Sequence, residues 1–425
     1  MRTSDRDWNY ESSCLLGPIE LVILQGTPFC NLNCSYCYLS ESSRKEKTTL
    51  SLSSIKTVFS KILQSRYTGT KLDISWHSGE PLVLQPSYYE EAIDIITELA
   101  LKHCGPEFSL QFDIQTNGTL INQKWCDFFK KFEDILSVGI SCDGPASYHD
   151  NYRRDWAGNA THWKTQKGMD LMQSNGIKFD ALAVVSPDML DKPDEFYEFF
   201  NAYAKDIREF HFNLLDECVF PADDVESSYV YGKKYYRFLK SLLRRINCAN
   251  NLPNSLEIRN FSAFYDRALT NDNDQHNAWN MSRPFKSLTI EVNGDLSTFY
   301  AGVTIDECKD LYGDGQGLLI GNLLKQDIEE IAASEKIVKI ADDFAVSHRA
   351  CEQSCEYFSL CYGGYNLIKQ KRYSTFDATE TPECYIHVKT FVNALLDDLN
   401  EHASKPNAHQ PLGLPTRLTT SISST

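Results

Sequence analysis

The chain has 425 residues and a formal net charge of −16, with 42% hydrophobic and 12% aromatic residues. These values predict either one large globular domain with a smaller domain, or two domains of intermediate size. The acidic balance argues against a general affinity for nucleic acid backbone, no apolar run approaches the roughly 18 residues of a membrane span, and the N-terminus lacks a signal-peptide apolar region. We therefore expect a cytoplasmic protein that binds neither nucleic acid nor membrane.

Fourteen cysteines in a chain without an export signal indicate a reducing compartment, where metal binding is commoner than a disulfide framework. Seven of them fall into two spaced groups. The other seven are scattered, and we interpret each as a small buried hydrophobe. These scattered residues are Cys14, Cys104, Cys126, Cys142, Cys218, Cys248 and Cys308.

Strand-like and helix-like segments alternate from residue 19 to residue 215, after a polar surface arm at 1–18. The predicted strands cover 20–25, 71–76, 109–115, 136–141, 178–185 and 208–214. The predicted helices lie near 52–64, 87–103, 122–133, 161–175 and 192–205. Strands separated by helices of this length predict βαβ units, a parallel sheet and right-handed crossovers.

The remainder of the chain predicts a bridging helical region at 216–283 and a second unit at 284–401, followed by a disordered tail at 402–425. The bridge contains one helix at 229–247, and the irregular segment 253–280 ends it. The second unit is predicted to hold a hairpin at 288–296 with an Asn-Gly turn, a short acidic helix near 325–337, a cysteine-rich loop and a closing helix at 385–401.

Three cysteines follow the first predicted strand, in the run Cys30-Asn31-Leu32-Asn33-Cys34-Ser35-Tyr36-Cys37-Tyr38. Closely spaced thiolates hold iron–sulfur clusters, and a cubane normally takes four of them. Three would leave one iron open to a substrate or cofactor. A zinc site is the alternative, although structural zinc sites usually pair two short knuckles.

Polar turns end the next three predicted strands, and each by itself indicates a turn or loop. These turns are Ser78-Gly79-Glu80-Pro81, Gln115-Thr116-Asn117-Gly118 and Ser141-Cys142-Asp143-Gly144-Pro145, the last continued by His149-Asp150-Asn151-Tyr152-Arg153. Because the strands are predicted to be parallel, the turns and the cysteine loop should meet at one edge of the sheet.

The CxxxCxxC spacing, with Tyr36 before the third cysteine, resembles the radical S-adenosylmethionine (SAM) enzymes. The resemblance implies that Cys30, Cys34 and Cys37 hold a [4Fe–4S] cluster whose open iron is chelated by SAM. It also implies a 5′-deoxyadenosyl radical as the reactive species. The six strand–helix units resemble the partial (β/α)6 TIM-like barrel of this family, an α/β fold.

The polar turns also resemble family motifs, with Ser78 in place of the first glycine of Gly-Gly-Glu-Pro, a substitution that we expect to fit. In the family, backbone carbonyls of that turn accept hydrogen bonds from the SAM ammonium. Arg153 is the candidate partner of the SAM carboxylate, because a guanidinium pairs bidentately with a carboxylate. The implied cofactor contacts are Tyr36, Ser78, Gly79, Glu80, Gln115, Asn117, Ser141, Asp143 and Arg153.

The second cysteine group has spacers of three, five and twenty-two residues and consists of Cys351, Cys355, Cys361 and Cys384. Four thiolates at such spacing can close around a full cubane, with a zinc ribbon as the alternative. The group resembles one cluster of the SPASM domain, which implies one auxiliary [4Fe–4S] cluster suited to electron transfer. That domain normally holds two clusters; Tyr365 and the lone Cys308 predict that the second is absent.

The whole pattern resembles maturases of ribosomally made peptides, and two segments resemble the group that joins an aromatic ring carbon to a β-carbon in a cyclophane. These segments are Cys361-Tyr362-Gly363-Gly364-Tyr365-Asn366 and Thr379-Glu380-Thr381. Ring rearomatisation must release a proton, for which Asp216 or Glu217 is the candidate base. The alternatives are a sulfatase-type maturase that converts Cys or Ser to formylglycine, a thioether-forming maturase, and a non-catalytic zinc- or cluster-binding scaffold.

The resemblance further implies a precursor peptide as substrate and a flavodoxin- or ferredoxin-type electron donor. Some family members carry an N-terminal leader-binding domain, for which residues 1–18 leave no room. We therefore expect a separate leader-binding protein as a further partner.

Overall fold

One nine-stranded sheet organises the computed structural model, which describes residues 16–215, 225–249, 255–269, 284–298, 309–361, 363–364 and 366–403. The strands are Ile19–Leu24 (β1), Thr68–Trp76 (β2), Ser109–Thr116 (β3), Leu136–Ser141 (β4), Phe179–Val185 (β5), Ile207–Leu214 (β6), Ser287–Ile290 (β7), Asp295–Thr298 (β8) and Leu319–Asn322 (β9). Their order is β6-β5-β4-β3-β2-β1-β7-β8-β9. Strands β1 to β6 pair in parallel with their neighbours, so their carboxyl ends share one edge.

Helices connect the six parallel strands and continue after them. The α-helices are Leu52–Gln64 (α1), Pro86–Cys104 (α2), Gln123–Lys131 (α3), Ala146–Tyr152 (α4), His162–Ser174 (α5), Pro193–Asn201 (α6), Val225–Ala249 (α7), Arg259–Leu269 (α8), Ile328–Ala332 (α9), Glu335–Ser354 (α10), Phe358–Cys361 (α11), Asn366–Tyr373 (α12), Pro382–Cys384 (α13) and Phe391–Ala403 (α14). A π-helix at Tyr385–Thr390 precedes α14. In the described part of the chain, short 3-10 helices lie at Ser43–Lys45, Pro81–Val83 and Met189–Asp191.

Alternation along the strands separates an apolar face from a polar one. Trp76, Phe112 and Phe210 lie in the hydrophobic core. The opposite face borders an open cavity of about 390 Å³ with a largely polar lining. Its polar lining residues are Asp73, Ser75, Gln111, Asp113, Gln115, Ser137, Asp180, Arg208, Glu209, His211 and Arg259. The parallel sheet therefore surrounds a hydrophilic lumen.

The structure confirms the partial (β/α)6 arrangement and all six predicted parallel strands, whose ends differ from the prediction by at most a few residues. The predicted hairpin is also present, with β7 and β8 paired antiparallel. The acidic helix predicted near 325–337 is instead two helices, α9 and α10. Because α10 runs on to Ser354, Cys351 lies on a helix and not in a loop.

The strands after residue 283 extend the sheet of the first six. Strand β7 pairs in parallel with β1, with Leu21 opposite Ser287 and Leu24 opposite Ile290. The predicted boundary between the two units therefore divides strands that share one hydrogen-bonded sheet.

Several predictions concern residues outside the described part of the chain. These are Asp216, Glu217, Cys218, Cys308, Tyr362, Tyr365 and the segments 1–15 and 404–425. Among the described scattered cysteines, Cys248 is exposed, so its prediction as a buried residue is wrong. Among the described residues, no helix has the length and apolar character that crossing a membrane requires.

Candidate active site

The loop after β1 presents Cys30, Cys34 and Cys37 as free, partly buried cysteines. Backbone hydrogen bonds fix its path. The Cys30 amide donates to the Arg44 carbonyl at 3.0 Å, and the Cys37 amide donates to the Cys34 carbonyl at 3.2 Å. The Trp156 indole donates to the Cys30 carbonyl at 2.8 Å. The loop is thus held at the carboxyl edge of the sheet by segments distant in sequence.

The thiols of this loop lie in a weakly solvated environment. Burial, with the nearby Glu80 carboxylate as the next cause, raises the pKa of Cys30 to about 12. Burial also raises the pKa of Cys34 to about 11, although Arg153 and Arg44 favour its thiolate. Metal ligation requires thiolates, so iron binding here must displace protons.

The turn after β2 approaches the cysteine loop closely. Ser78 and Gly79 both have left-handed backbone conformations, with φ of 74° and 76°. A Cβ added at Gly79 would lie 2.3 Å from the Thr27 carbonyl oxygen, so only glycine fits there. Ser78 occupies a conformation that glycine adopts without strain.

Glu80 is 1% exposed, and its carboxylate binds the protein itself. The Leu82 amide and the Thr116 hydroxyl donate to Oε1 at 2.9 and 2.6 Å. The Asn117 amide donates to Oε2 at 2.8 Å. These bonds tie the turn after β2 to the end of β3, which gives the Glu80 side chain a structural role in shaping the site.

Tyr36, Asp143 and Arg153 form one buried group beside Cys34. The Tyr36 hydroxyl donates to Asp143 Oδ2 at 2.6 Å, and Arg153 Nε donates to the same oxygen at 3.0 Å. The Arg153 guanidinium carbon lies 5.4 Å from the centre of the Tyr36 ring. The Val184 amide donates to Asp143 Oδ1 at 3.0 Å, which connects this group to β5.

The remaining predicted contacts lie at the ends of β3 and β4. Gln115 Nε2 donates to the Ser141 hydroxyl at 2.9 Å. Asn117 Nδ2 donates to the Asn31 side chain at 2.9 Å and lies 4.0 Å from Cys30 Sγ. The structure therefore brings every described residue of the predicted SAM site to the same edge as the three cysteines.

Two residues near the loop, Arg44 and Trp156, were not predicted from the sequence. Arg44 is buried, and its Nη1 atom has no hydrogen-bond partner among the described residues. Its guanidinium carbon lies 5.4 Å from the centre of the Trp156 ring. Neither residue belongs to a recognisable short motif, and only the folded chain brings them to the loop.

Cys351, Cys355, Cys361 and Cys384 converge on one cavity. Cys351 is near the end of α10, Cys355 caps that helix, Cys361 ends α11 and Cys384 ends α13. The lining includes all four cysteines together with the apolar Tyr357, Phe358 and Val388, the small Gly363 and Gly364, and the polar Lys369 and Thr379. Burial raises the pKa of Cys384 to about 12, with Cys361 and Cys355 as further causes. The four thiols are thus close enough to influence one another.

Both cysteine groups offer donor sets made of thiols alone. Three thiols lie in the loop after β1, and four line the cavity beside α10, α11 and α13. Cysteine thiolates hold iron–sulfur clusters, so both donor sets suit that cofactor chemically. Four thiolates also hold zinc in structural sites, with Zn–S bonds of about 2.3 Å.

The parallel sheet, the cysteine loop and the turns at its carboxyl edge together define an enzyme with a cluster-based active site. Residues 24–200 match the family model described as the Radical SAM superfamily. A protein of Synechocystis sp. (strain ATCC 27184 / PCC 6803 / Kazusa), named "Uncharacterized protein sll1766", is 31% identical over 91% of this chain and 93% of its own length. This chain belongs to the radical SAM superfamily. Its cofactors are SAM and the [4Fe–4S] cluster that binds SAM.

Other similar proteins have named activities or bound molecules. The cysteine-type anaerobic sulfatase-maturating enzyme of Clostridium perfringens (strain 13 / Type A) is 25% identical over 84% of this chain and 90% of its own length. The structure titled "Native anSMEcpe with bound AdoMet and Cp18Cys peptide" has a TM-score of 0.70 at 21% identity, covering 90% of this chain and 99% of that one. Streptococcus suis SuiB bound to precursor peptide SuiA has a TM-score of 0.54 at 15% identity, covering 86% and 75%. The two structures show that the fold is shared.

Proposed function

We propose that this chain is a radical SAM peptide maturase that introduces a crosslink into a ribosomally made precursor peptide. The observation that carries the proposal is the arrangement of seven cysteines as two groups, three in the loop after β1 and four around one cavity. When bound, the SAM-binding cluster and SAM supply reductive cleavage of SAM and a radical that abstracts hydrogen from an unactivated carbon.

In this proposal, Cys30, Cys34 and Cys37 hold the SAM-binding cluster. Arg153 pairs with the SAM carboxylate, while Asp143 keeps the guanidinium in place through its Nε. The Ser78 and Gly79 carbonyls accept hydrogen bonds from the SAM ammonium. Glu80 holds the turn that contains them against the end of β3. Tyr36, Gln115, Asn117 and Ser141 complete the proposed SAM surroundings.

The substrate is proposed to be a peptide whose side chain enters the polar lumen of the sheet. Support comes from the sulfatase-maturating relative and from the two similar proteins whose structures contain a bound peptide. The product is a bond between an aromatic ring carbon and a β-carbon, as the Cys361–Asn366 and Thr379–Thr381 segments favour. The β-carbon loses one hydrogen atom when the radical abstracts it. The aromatic ring then releases one proton and one electron as it rearomatises.

The released proton requires a base, for which Asp216 and Glu217 are the proposed residues. Cys351, Cys355, Cys361 and Cys384 would hold an auxiliary cluster, which would accept that electron. A flavodoxin- or ferredoxin-type donor would supply the first electron, and a separate leader-binding protein would deliver the peptide.

Conversion of a protein Cys or Ser to formylglycine is the second candidate, favoured by the sulfatase-maturating relatives. That group normally carries two auxiliary clusters, whereas this chain offers one group of four cysteines outside the loop after β1. Within residues 284–310, Cys308 is the one cysteine. The cysteine arrangement therefore favours the crosslinking reaction over this alternative.

The proposal is tested in two stages with anaerobically reconstituted protein. The seven cysteines predict about eight iron atoms per chain and formation of 5′-deoxyadenosine from SAM under reduction. Cys34→Ala should abolish that product, and Cys384→Ala should lower the iron content to about four atoms. Absence of 5′-deoxyadenosine with the unchanged chain would refute the enzymatic function.

The second stage is mass spectrometry of a short peptide encoded beside the gene and co-expressed with the protein. A crosslink should remove two hydrogens and suppress fragmentation between the joined residues. Formylglycine would instead react with an aldehyde reagent such as hydroxylamine. If the modified peptide reacted with hydroxylamine, the result would refute crosslinking and support formylglycine formation.

A further inference from the structure

A buried lysine contacts one of the four cysteines of the second group. Lys369 lies on α12 and is 1% exposed. Its Nζ atom donates to the Ser347 hydroxyl at 2.8 Å and to the Ser347 carbonyl at 3.3 Å. The third contact is to Cys351 Sγ at 3.0 Å. The three donors of an ammonium group are therefore directed to two oxygens and one sulfur.

The charge of Lys369 has no carboxylate partner in the described part of the chain. Burying an ammonium without a counter-charge is costly, so buried cations are normally paired. Arg372, one turn further along α12, follows that rule, because its guanidinium binds the Glu383 carboxylate. Of the three atoms that Lys369 contacts, only Cys351 Sγ can carry a full negative charge, and it does so as a thiolate ligand.

The surroundings strengthen this interaction. The cavity between the cysteines has Tyr357, Phe358 and Val388 in its lining. Because Lys369 itself is 1% exposed, its charge and its hydrogen bonds act over a low effective dielectric. A charged donor 3.0 Å from one ligand sulfur must then affect the energy of any group that the four sulfurs hold.

We infer that Lys369 raises the reduction potential of the auxiliary cluster by donating a charge-assisted hydrogen bond to its Cys351 ligand. The inference rests on the proposed function, which places the cluster at Cys351, Cys355, Cys361 and Cys384. Reduction adds a negative charge to the cluster, and a nearby cation with an N–H···S bond stabilises that charge. The cluster thereby becomes a better acceptor for an electron released by a substrate radical. Lys369 is a positioning and tuning residue, since it reaches the cluster only through Cys351.

The test is an EPR-monitored redox titration of the complete, reconstituted enzyme. Added SAM perturbs the signal of the cluster with the open iron, so the SAM-insensitive signal belongs to the auxiliary cluster. Lys369→Met should move the midpoint of that signal to a more negative potential by at least a tenfold change in the reduction equilibrium, about 59 mV for one electron. Lys369→Gln keeps an N–H donor without the charge and should shift the midpoint less.

Lys371→Met is the matched control, because it removes an exposed lysine from the same helix and should leave the midpoint unchanged. An unchanged midpoint in Lys369→Met with about eight irons retained would overturn the inference. Loss of the auxiliary cluster from both Lys369 variants would also overturn it, because the lysine would then serve assembly and not potential. About four irons in the unsubstituted chain would instead refute the proposed cluster site.

Discussion

Single side chains at the carboxyl edge of the sheet make bonds that a motif does not reveal. Glu80, Asp143 and Arg153 were predicted as cofactor contacts. The structure shows that each also binds the protein, Glu80 through two elements and Asp143 through Arg153 and Tyr36. A sequence motif identifies which residues gather near a cofactor, but the partner of each polar atom depends on side-chain directions that the motif does not encode.

Glu80→Ala should destabilise the fold, because it leaves the Leu82 amide, the Thr116 hydroxyl and the Asn117 amide without their buried acceptor. Each unsatisfied buried donor costs about 1–3 kcal/mol, so the loss should be at least roughly 3 kcal/mol in the free energy of unfolding. Urea unfolding of the metal-free chain measures it.

Glu80→Gln is the control for that substitution, because its amide oxygen still accepts from Leu82 and Thr116. It should recover more than half of the lost stability. Equal midpoints for Glu80→Ala and the unsubstituted chain would show that the carboxylate does not hold the turn to β3.

At the scale of elements, local periodicity predicted the first half of the chain well. Apolar spacing gave all six parallel strands and the helices between them, because each element buries one continuous face. The same reasoning predicted an acidic helix that ends near residue 337, whereas α10 continues past Cys351 to Ser354. It also did not predict that β7 pairs with β1, because that pairing joins residues more than 260 positions apart and leaves no local pattern.

The turn after β2 depends on a close backbone approach, which Gly79→Ala should disrupt. The new Cβ would lie 2.3 Å from the Thr27 oxygen, and neither backbone can move freely. We expect a loss of unfolding free energy of about 2 kcal/mol or more and a lower iron content, because Thr27 leads into the cysteine loop. Urea unfolding and iron analysis measure the two effects.

Gly176→Ala is the matched control, because Gly176 also has a positive φ, of 66°, but no atom within 4 Å of an added Cβ. It should cost only the backbone strain, about 1 kcal/mol, with full iron content. Similar losses of unfolding free energy in both variants would show that the close contact with Thr27 adds no cost beyond the backbone strain.

The whole molecule is built around β1, the strand that leads to the cysteine loop. It pairs with β2 on one side and with β7 on the other, so both predicted units stabilise the same strand. The Lys286–Glu20 ion pair, at 3.1 Å, adds a contact between them. Lys240 of α7 also lies 3.8 Å from Asp398 of α14. The geometry of the SAM site therefore depends on the second unit, even though its predicted residues all lie in the first.

A chain ending at residue 283 should consequently aggregate. Removing β7 leaves Leu21 to Leu24 as an unpaired edge of apolar residues, and exposed edges of this kind pair with other chains. Size-exclusion chromatography should place the shortened protein in the void volume. A chain ending at residue 403 is the control, because it retains every described element and should elute like the full-length protein. If the chain ending at 283 eluted as a single well-defined species and bound SAM, the first six strands would be an independent domain, and β7 would not be needed to complete the site.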